Sequence, residues 1–170
     1  MINKDTVLTG RAWLFGDNVS TDSIAPGRLI GLRSNPKEFA KHVLEEKRPE
    51  FPGSVKPGDL LIAGTNFGCG SSREIAPIII KESGIAAILA KSFGRIFYRN
   101  AINNGMLVIE CDTDAIEDGQ TVTISMADMT IRIAEKPDYV EHFTFSEHEA
   151  NIVSKGGLLN YLEENNGYGK

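Results

Sequence analysis

Asp59-Leu-Leu-Ile-Ala63 runs directly into Gly64-Thr-Asn-Phe-Gly-Cys-Gly-Ser-Ser-Arg-Glu74, and this junction decides the fold. The first segment is a short, nearly continuous apolar run, opened by the turn pair Pro57-Gly58. It reads as a strand buried on both faces. The second is a glycine-rich turn. Helical spacing then takes over from Ser72 to Ser83, with Ile75, Ile78 and Ile79 on one face and Gly84 as a left-handed stop. Ile85-Ala-Ala-Ile-Leu-Ala90 is a second buried strand. Strand, helix and strand in this order predict a βαβ unit, its strands parallel and its crossover right-handed.

Outward from that unit the chain stays mixed. Upstream, Arg11-Ala-Trp-Leu-Phe15 reads as a strand ended by Gly16-Asp17-Asn18. Val19 to Asn35 is rich in Gly, Pro, Ser, Thr and Asp, without periodicity, and reads as a long loop of the kind that is functional or mobile. Pro36 suits the first turn of a helix that continues through Phe39, Val43 and Leu44 to about Lys47. Downstream, Phe93 to Asn104 reads as a short helix and Met106 to Glu110 as a third strand. Gln120–Met126 and Met129–Ala134 alternate apolar and polar residues around Ala127-Asp128, which predicts an antiparallel pair. The tail from Glu147 reads as two short helices parted by Gly156-Gly157. The class is α/β: a parallel βαβ core plus an antiparallel strand pair, in one domain over 1–170.

Composition narrows the function. The chain has 170 residues, 41% of them hydrophobic, enough for one substantial core. With 23 acidic against 18 basic residues, the net charge of −5 argues against a general nucleic-acid binder. No apolar run approaches the roughly 20 residues needed to cross a bilayer. Met-Ile-Asn-Lys-Asp-Thr at the start lacks the apolar stretch of a secretion signal, so a cytoplasmic location is expected. Two cysteines, Cys69 and Cys111, lie far apart with three scattered histidines. They form no redox pair, zinc knuckle or four-cysteine cluster set, and no metal ligand is expected in this chain.

The glycine-rich turn follows the general recipe for anion binding, a strand leading through glycines to a helix start. It matches no common fingerprint. Gly70 stands where a Walker lysine would be, and no third glycine follows Gly68-Cys-Gly70. What it does carry is two adjacent hydroxyls, Ser71 and Ser72, and the guanidinium of Arg73, whose planar fork matches a carboxylate. Thr21-Asp22-Ser23 with Arg28 and Arg33 in the early loop, and Arg95, Arg99, Asn100 and Asn103 after the second strand, are the polar groups that a parallel sheet can gather at its carboxyl edge. An ordinary tight turn with surface arginines is the alternative reading of the same residues.

Three segments together resemble one family. Val19-Ser-Thr-Asp-Ser-Ile-Ala-Pro26, Asn66-Phe-Gly-Cys-Gly-Ser-Ser-Arg-Glu74 and Ser92-Phe-Gly-Arg-Ile-Phe-Tyr-Arg-Asn-Ala-Ile-Asn103 resemble, in order, the motifs of the 3-isopropylmalate dehydratase small subunits. The likeness runs from about Arg11 to Leu162. It implies the swivelling β/β/α domain found at the C-terminus of aconitase, and a two-subunit hydro-lyase of leucine biosynthesis. In such an enzyme the large subunit carries a [4Fe–4S] cluster and the small one closes over it. The resemblance implies Ser71 as the base that takes the carbon-bound proton and Asp22 as an aid to proton transfer at the leaving hydroxyl. Ser72 and Arg73 would bind a substrate carboxylate. Thr21, Leu32 and Arg33 would contribute to substrate binding from the early loop.

Two departures stand out. Ile75 occupies a position that is often His in the family. In the segment Leu29-Ile-Gly-Leu-Arg-Ser-Asn35, Arg33 matches relatives that act on homocitrate or homoaconitate, whereas Leu29, Ile30 and Leu32 suit a branched apolar group. The expected substrate is therefore 2- and 3-isopropylmalate, with homoaconitate, citramalate and dimethylmalate as alternatives for the same chemistry. A free-standing anion-binding or regulatory module is the reading from another class. The retained Asp22 and Ser71-Ser72-Arg73 set weighs against it.

Overall fold

A computed structural model describes residues 2–166. Its frame is a seven-stranded mixed sheet in the order β4-β3-β2-β1-β5-β6-β7. The strands are β1 (Val7–Leu14), β2 (Leu60–Ala63), β3 (Ala87–Ala90), β4 (Leu107–Glu110), β5 (Thr121–Ser125), β6 (Thr130–Ile133) and β7 (Lys136–His142). The βαβ expectation holds: β2 and β3 are parallel, Leu60 opposite Ala87 and Ala63 opposite Ala90, joined through helix α4 (Ile75–Glu82). β4 adds a further parallel strand on β3, connected by α5 (Arg95–Asn103). Leu60 to Ile62, Ala87 to Leu89 and Leu107 to Ile109 are all fully buried, as strands covered on both faces should be.

β1 joins the two halves. Its later residues, Ala12 to Leu14, pair in parallel with β2; its earlier ones, Val7 to Arg11, pair antiparallel with β5. The strand is thus longer at its start than Arg11–Phe15. The residues before Arg11 lack a buried face on both sides, so their strand character comes from β5. The expected antiparallel pair, β5 with β6, gains a third member in β7. β7 is an edge strand containing Pro137, and none of its residues is fully buried. Proline is tolerated there because one edge needs no N–H donor.

The early segment is not a loop throughout. The Ser20 hydroxyl accepts from the Ser23 N–H at 3.1 Å and caps a single helical turn, α1 (Thr21–Ile24). A 3-10 helix follows over Gly27–Ser34. Asn35 then caps α2 (Pro36–Ala40), which ends well before Lys47. Beyond it the chain turns to bury Val43 and Leu44, the latter at a positive φ of 55°. One more turn, α3 (Phe51–Ser54), seats Phe51 edge-on against Trp13. The two C-terminal helices fall where expected, α6 (Glu147–Ser154) behind a Ser146–Glu149 capping box and α7 (Leu158–Asn166).

Helix α4 begins at Ile75, three residues later than its apolar spacing suggests. The cause is Pro77. Without an N–H it cannot donate to the Arg73 carbonyl, so it belongs in the first turn, where that donor is not used. Ala76 donates to Arg73 instead, at 3.1 Å. Ser71, Ser72 and Arg73 therefore stay outside the helix, on a turn of their own.

Candidate active site

The glycine-rich segment lies at the carboxyl edge of the parallel strands, held between two neighbouring loops. On one side Gly68 N donates to Val19 O at 2.7 Å and Thr21 N to Cys69 O at 2.9 Å. On the other, Phe67 N donates to Ser92 O at 3.0 Å and Gly94 N to Phe67 O at 2.8 Å. Phe67, Phe93 and Phe97 pack together beneath it. A methyl group at Gly68 would come within 2.2 Å of Phe97, so this approach is open only to glycine. Gly70, at φ +99°, then turns the chain outward and exposes Ser71 and Ser72. The N–H groups of Gly70, Ser71 and Ser72 donate to no backbone carbonyl among the described residues. They remain available to an anion.

Arg73 ties this turn to the early segment. Its Nη2 lies 2.9 Å from Asp22 Oδ1, its Nη1 donates to Ala25 O at 2.5 Å, and its Nε is 3.4 Å from Ser71 Oγ. A guanidinium has five N–H donors, so two stay free for a ligand. Asp22 Oδ1 also accepts from Gly27 N at 3.2 Å, which fastens the start of the 3-10 helix to the same centre. The one-turn α1 sets the direction of Asp22. Thr21 and Ile24 face inward, and Asp22 between them is left exposed.

The structure therefore brings Asp22, Ser71 and Arg73 into contact. Thr21 is close by but takes a different place: it is buried, and its hydroxyl donates to the Ser71 carbonyl at 2.8 Å. It shapes the turn and does not face solvent. Ser72 and Arg33 meet elsewhere, around a depression of about 410 Å³ that Arg73, Glu74, Ile30, Ile75 and Ile78 also line. Arg33 is exposed there and takes part in no ion pair among the described residues.

Leu32 is not among the lining side chains; with Leu29 it packs against the core. The geometry of a 3-10 helix explains the split. Residues three apart eclipse each other, so Leu29 and Leu32 share the inner edge while Ile30 and Arg33 share the outer one. Helical spacing reads Ile75 and Ile78 as core. Ile75 is buried, with an edge at the depression, whereas Ile78 is half-buried there. An i,i+3 pair that abuts an exposed turn would have been the signal.

The other polar groups go elsewhere. Arg28 is paired with Glu45 and Glu46. Arg95, Arg99 and Asn103 line a separate cleft of about 480 Å³ with Tyr98, Glu110 and His148. Among the described residues no His, Cys, Asp or Glu side chains gather in a group that could hold a metal ion. Cys69 and Cys111 are both free thiols. The residues present do not fit an iron–sulfur cluster. No helix among the described residues is long and apolar enough to cross a membrane.

The domain is of the aconitase C-terminal type: residues 36–114, which carry β2 to β4 and the serine–serine–arginine turn, match the aconitase C-terminal domain family. The chain is 45% identical over 157 residues to 3-isopropylmalate dehydratase small subunit 2 of Archaeoglobus fulgidus, covering 92% of this chain and 95% of that one. It is 47% identical over 155 residues to the methanogen homoaconitase small subunit of Methanothermobacter thermautotrophicus, covering 91% and 90%. The crystal structure of a 3-isopropylmalate dehydratase from Methanocaldococcus jannaschii superposes with a TM-score of 0.89 at 46% identity, over 94% of this chain and 95% of that one. The chain belongs to the 3-isopropylmalate dehydratase small-subunit family.

Proposed function

We propose that this chain, acting as one swivelling domain over 1–170, is the small subunit of a cytoplasmic two-subunit hydro-lyase. The enzyme interconverts 2-isopropylmalate and 3-isopropylmalate by dehydration and rehydration. The observation that carries this reading is the contact of Ser71 Oγ with Arg73 Nε, 3.4 Å apart on an exposed turn. A serine hydroxyl is a poor base unless a cation and a dry setting stabilise its alkoxide. Arg73 supplies the cation, and closure of the large subunit over the turn supplies the dryness.

The steps assigned to this chain are proton transfer and carboxylate binding. Ser71, as alkoxide, takes the proton from the substrate carbon. The electrons of that C–H bond form the double bond as hydroxide leaves the neighbouring carbon. Asp22, in its ion pair with Arg73, assists transfer of a solvent-derived proton to the leaving hydroxide, which departs as water, and the reverse steps add water with the positions exchanged. Ser72 and the two free donors of Arg73 hold a substrate carboxylate, and the unused N–H groups of the turn add to that field. The [4Fe–4S] cluster belongs, in this reading, to the large subunit.

Arg33 favours a second reading, homoaconitate, because it sits at the depression without a carboxylate partner among the described residues. The relative named for homoaconitase is as similar as those named for isopropylmalate dehydratase. Citramalate and dimethylmalate would use the same chemistry. The test is to assay the chain, reconstituted with its large subunit, on all four acids. Isopropylmalate turnover is expected to dominate. Arg33→Ala is expected to spare it; if that variant abolishes use of a tricarboxylate preferred by the parent, the second reading is correct. Ser71→Ala is expected to keep large-subunit association and lower turnover by about 10²- to 10⁴-fold. Unchanged turnover in that variant would sink the base assignment.

A further inference from the structure

The depression beside Arg73 is lined by two pairs of residues three apart, each pair from a different element. The 3-10 helix contributes Ile30 and Arg33, eclipsed along its outer edge. Helix α4 contributes Ile75, which is buried, and Ile78, one turn further on and half-buried. Ser72, Arg73 and Glu74 line the rest, next to the turn. Ile30 is 40% exposed, one of few large apolar side chains left so open. Leu29 and Leu32 pack partly buried against the core along the inner edge, so Ile30 could turn inward only by displacing one of them. An apolar residue held outward in one depression with another apolar residue, beside a carboxylate-binding arginine, has the form of a subsite for a hydrocarbon group.

We propose that Ile78, which lines this depression together with Ile30, sets the size of the aliphatic side group that the enzyme accepts on its 2-hydroxy diacid. The inference rests on the proposed hydro-lyase reading and adds a specificity determinant on α4. The two walls differ in kind. Ile30 is carried by a short segment fastened at its start by Asp22 and Arg28, whereas Ile78 stands on a helix packed against the core. The helix-borne wall fixes the depth. In hydrocarbon pockets one methylene changes discrimination by about 10- to 200-fold, and a substitution at position 78 should act on that scale.

The test is kcat/KM of the reconstituted two-subunit enzyme on a series of malates carrying methyl, isopropyl and isobutyl groups. For Ile78→Phe, the ratio of isopropyl to methyl is expected to fall by about 10- to 200-fold. For Ile78→Ala, the ratio of isobutyl to isopropyl is expected to rise by about 10-fold or more. Ile78→Leu, of equal volume, should hold both ratios near the parent's. If the bulky variant fails to assemble, the Ile78→Ala ratio decides alone. Ratios unchanged within about twofold in an active Ile78→Ala enzyme overturn the proposal and leave the hydro-lyase reading standing. A parent enzyme inactive on the whole series overturns both.

Discussion

Asp22 Oδ1 lies 2.9 Å from Arg73 Nη2, so one residue from the segment after β1 and one from the turn after β2 share a charge at the carboxyl edge of the sheet. The partners are unequal: the Asp22 side chain is 64% exposed and that of Arg73 only 23%. An ion pair this open adds little stability, about 0.2–1 kcal/mol. Its weight falls on geometry, because the same guanidinium also holds Ala25 O and approaches Ser71 Oγ.

Arg73→Lys keeps the charge and loses the fork. We expect kcat/KM to fall by about 10²- to 10³-fold, with a change in unfolding free energy of about 1 kcal/mol or less. Asp22→Asn should act on the same unit. A double-mutant cycle on kcat/KM is expected to show non-additivity of about 0.5–3 kcal/mol. Strict additivity would mean that the two residues work independently.

Thr21 tests whether the turn is shaped from within. Thr21→Val keeps the shape but removes the donor to Ser71 O, leaving that carbonyl with the Arg73 N–H as its one remaining backbone donor. The expected cost is about 1 kcal/mol in urea unfolding, together with a lower kcat at nearly constant KM. Thr21→Ser restores the donor and should recover most of the kcat. A valine variant as active as the parent would show that this bond does not position Ser71.

These residues also mark what was legible in the sequence. The βαβ unit could be read because β2 and β3 are buried on both faces, which makes continuous apolar runs. The pair β5 and β6 could be read from alternation. β7 could not: as an edge strand with Pro137 it has no buried face to create a pattern. α1 and the 3-10 helix were equally hidden, since elements of one or two turns are too short for periodicity. In the site, Asp22, Ser71 and Arg73 were named as a set from motifs, but their contact was not, because it joins segments fifty residues apart across the fold. Thr21 and Leu32 face inward through packing choices that local spacing does not encode.

Asp118 predicts an acid limb in stability. Its burial favours the protonated form, but hydrogen bonds from Arg48, at 2.6 Å, and from Leu14 N outweigh this and hold its pKa below 3.8. Because the folded-state pKa is the lower one, the unfolded chain binds the proton more readily. The stabilisation is therefore present above the ordinary aspartate range and is lost as pH falls from there through the lower folded-state value. At 41% exposure it is worth about 0.5 kcal/mol. Asp118→Asn should be less stable than the parent near neutral pH, and the gap should close in acid. Trp13 fluorescence can follow it, since Arg48 lies 4.8 Å from the centre of that ring.

Cys111 should be chemically quiet. Burial first, then the charges of Glu141 and Asp112, push its thiol up to about 12. The reactive species is the thiolate, so near pH 8 iodoacetamide is expected to label Cys111 at least about 100-fold more slowly in the folded chain than in urea. Peptide mass spectrometry can separate this label from that on Cys69. Equal rates in both states would contradict the burial.

The eclipsed edges of the Gly27–Ser34 segment give it a reading frame of three. Leu29 and Leu32 anchor one register to the core while Ile30 and Arg33 are presented in another. Point changes at 30 or 33 alter what is presented and leave the anchor in place. Deleting Gly31 would shift the frame, sending Arg33 toward the core and Leu32 toward solvent, and inserting a residue there would carry Leu32 to the outer edge. The segment can thus diversify by substitution while its length stays fixed.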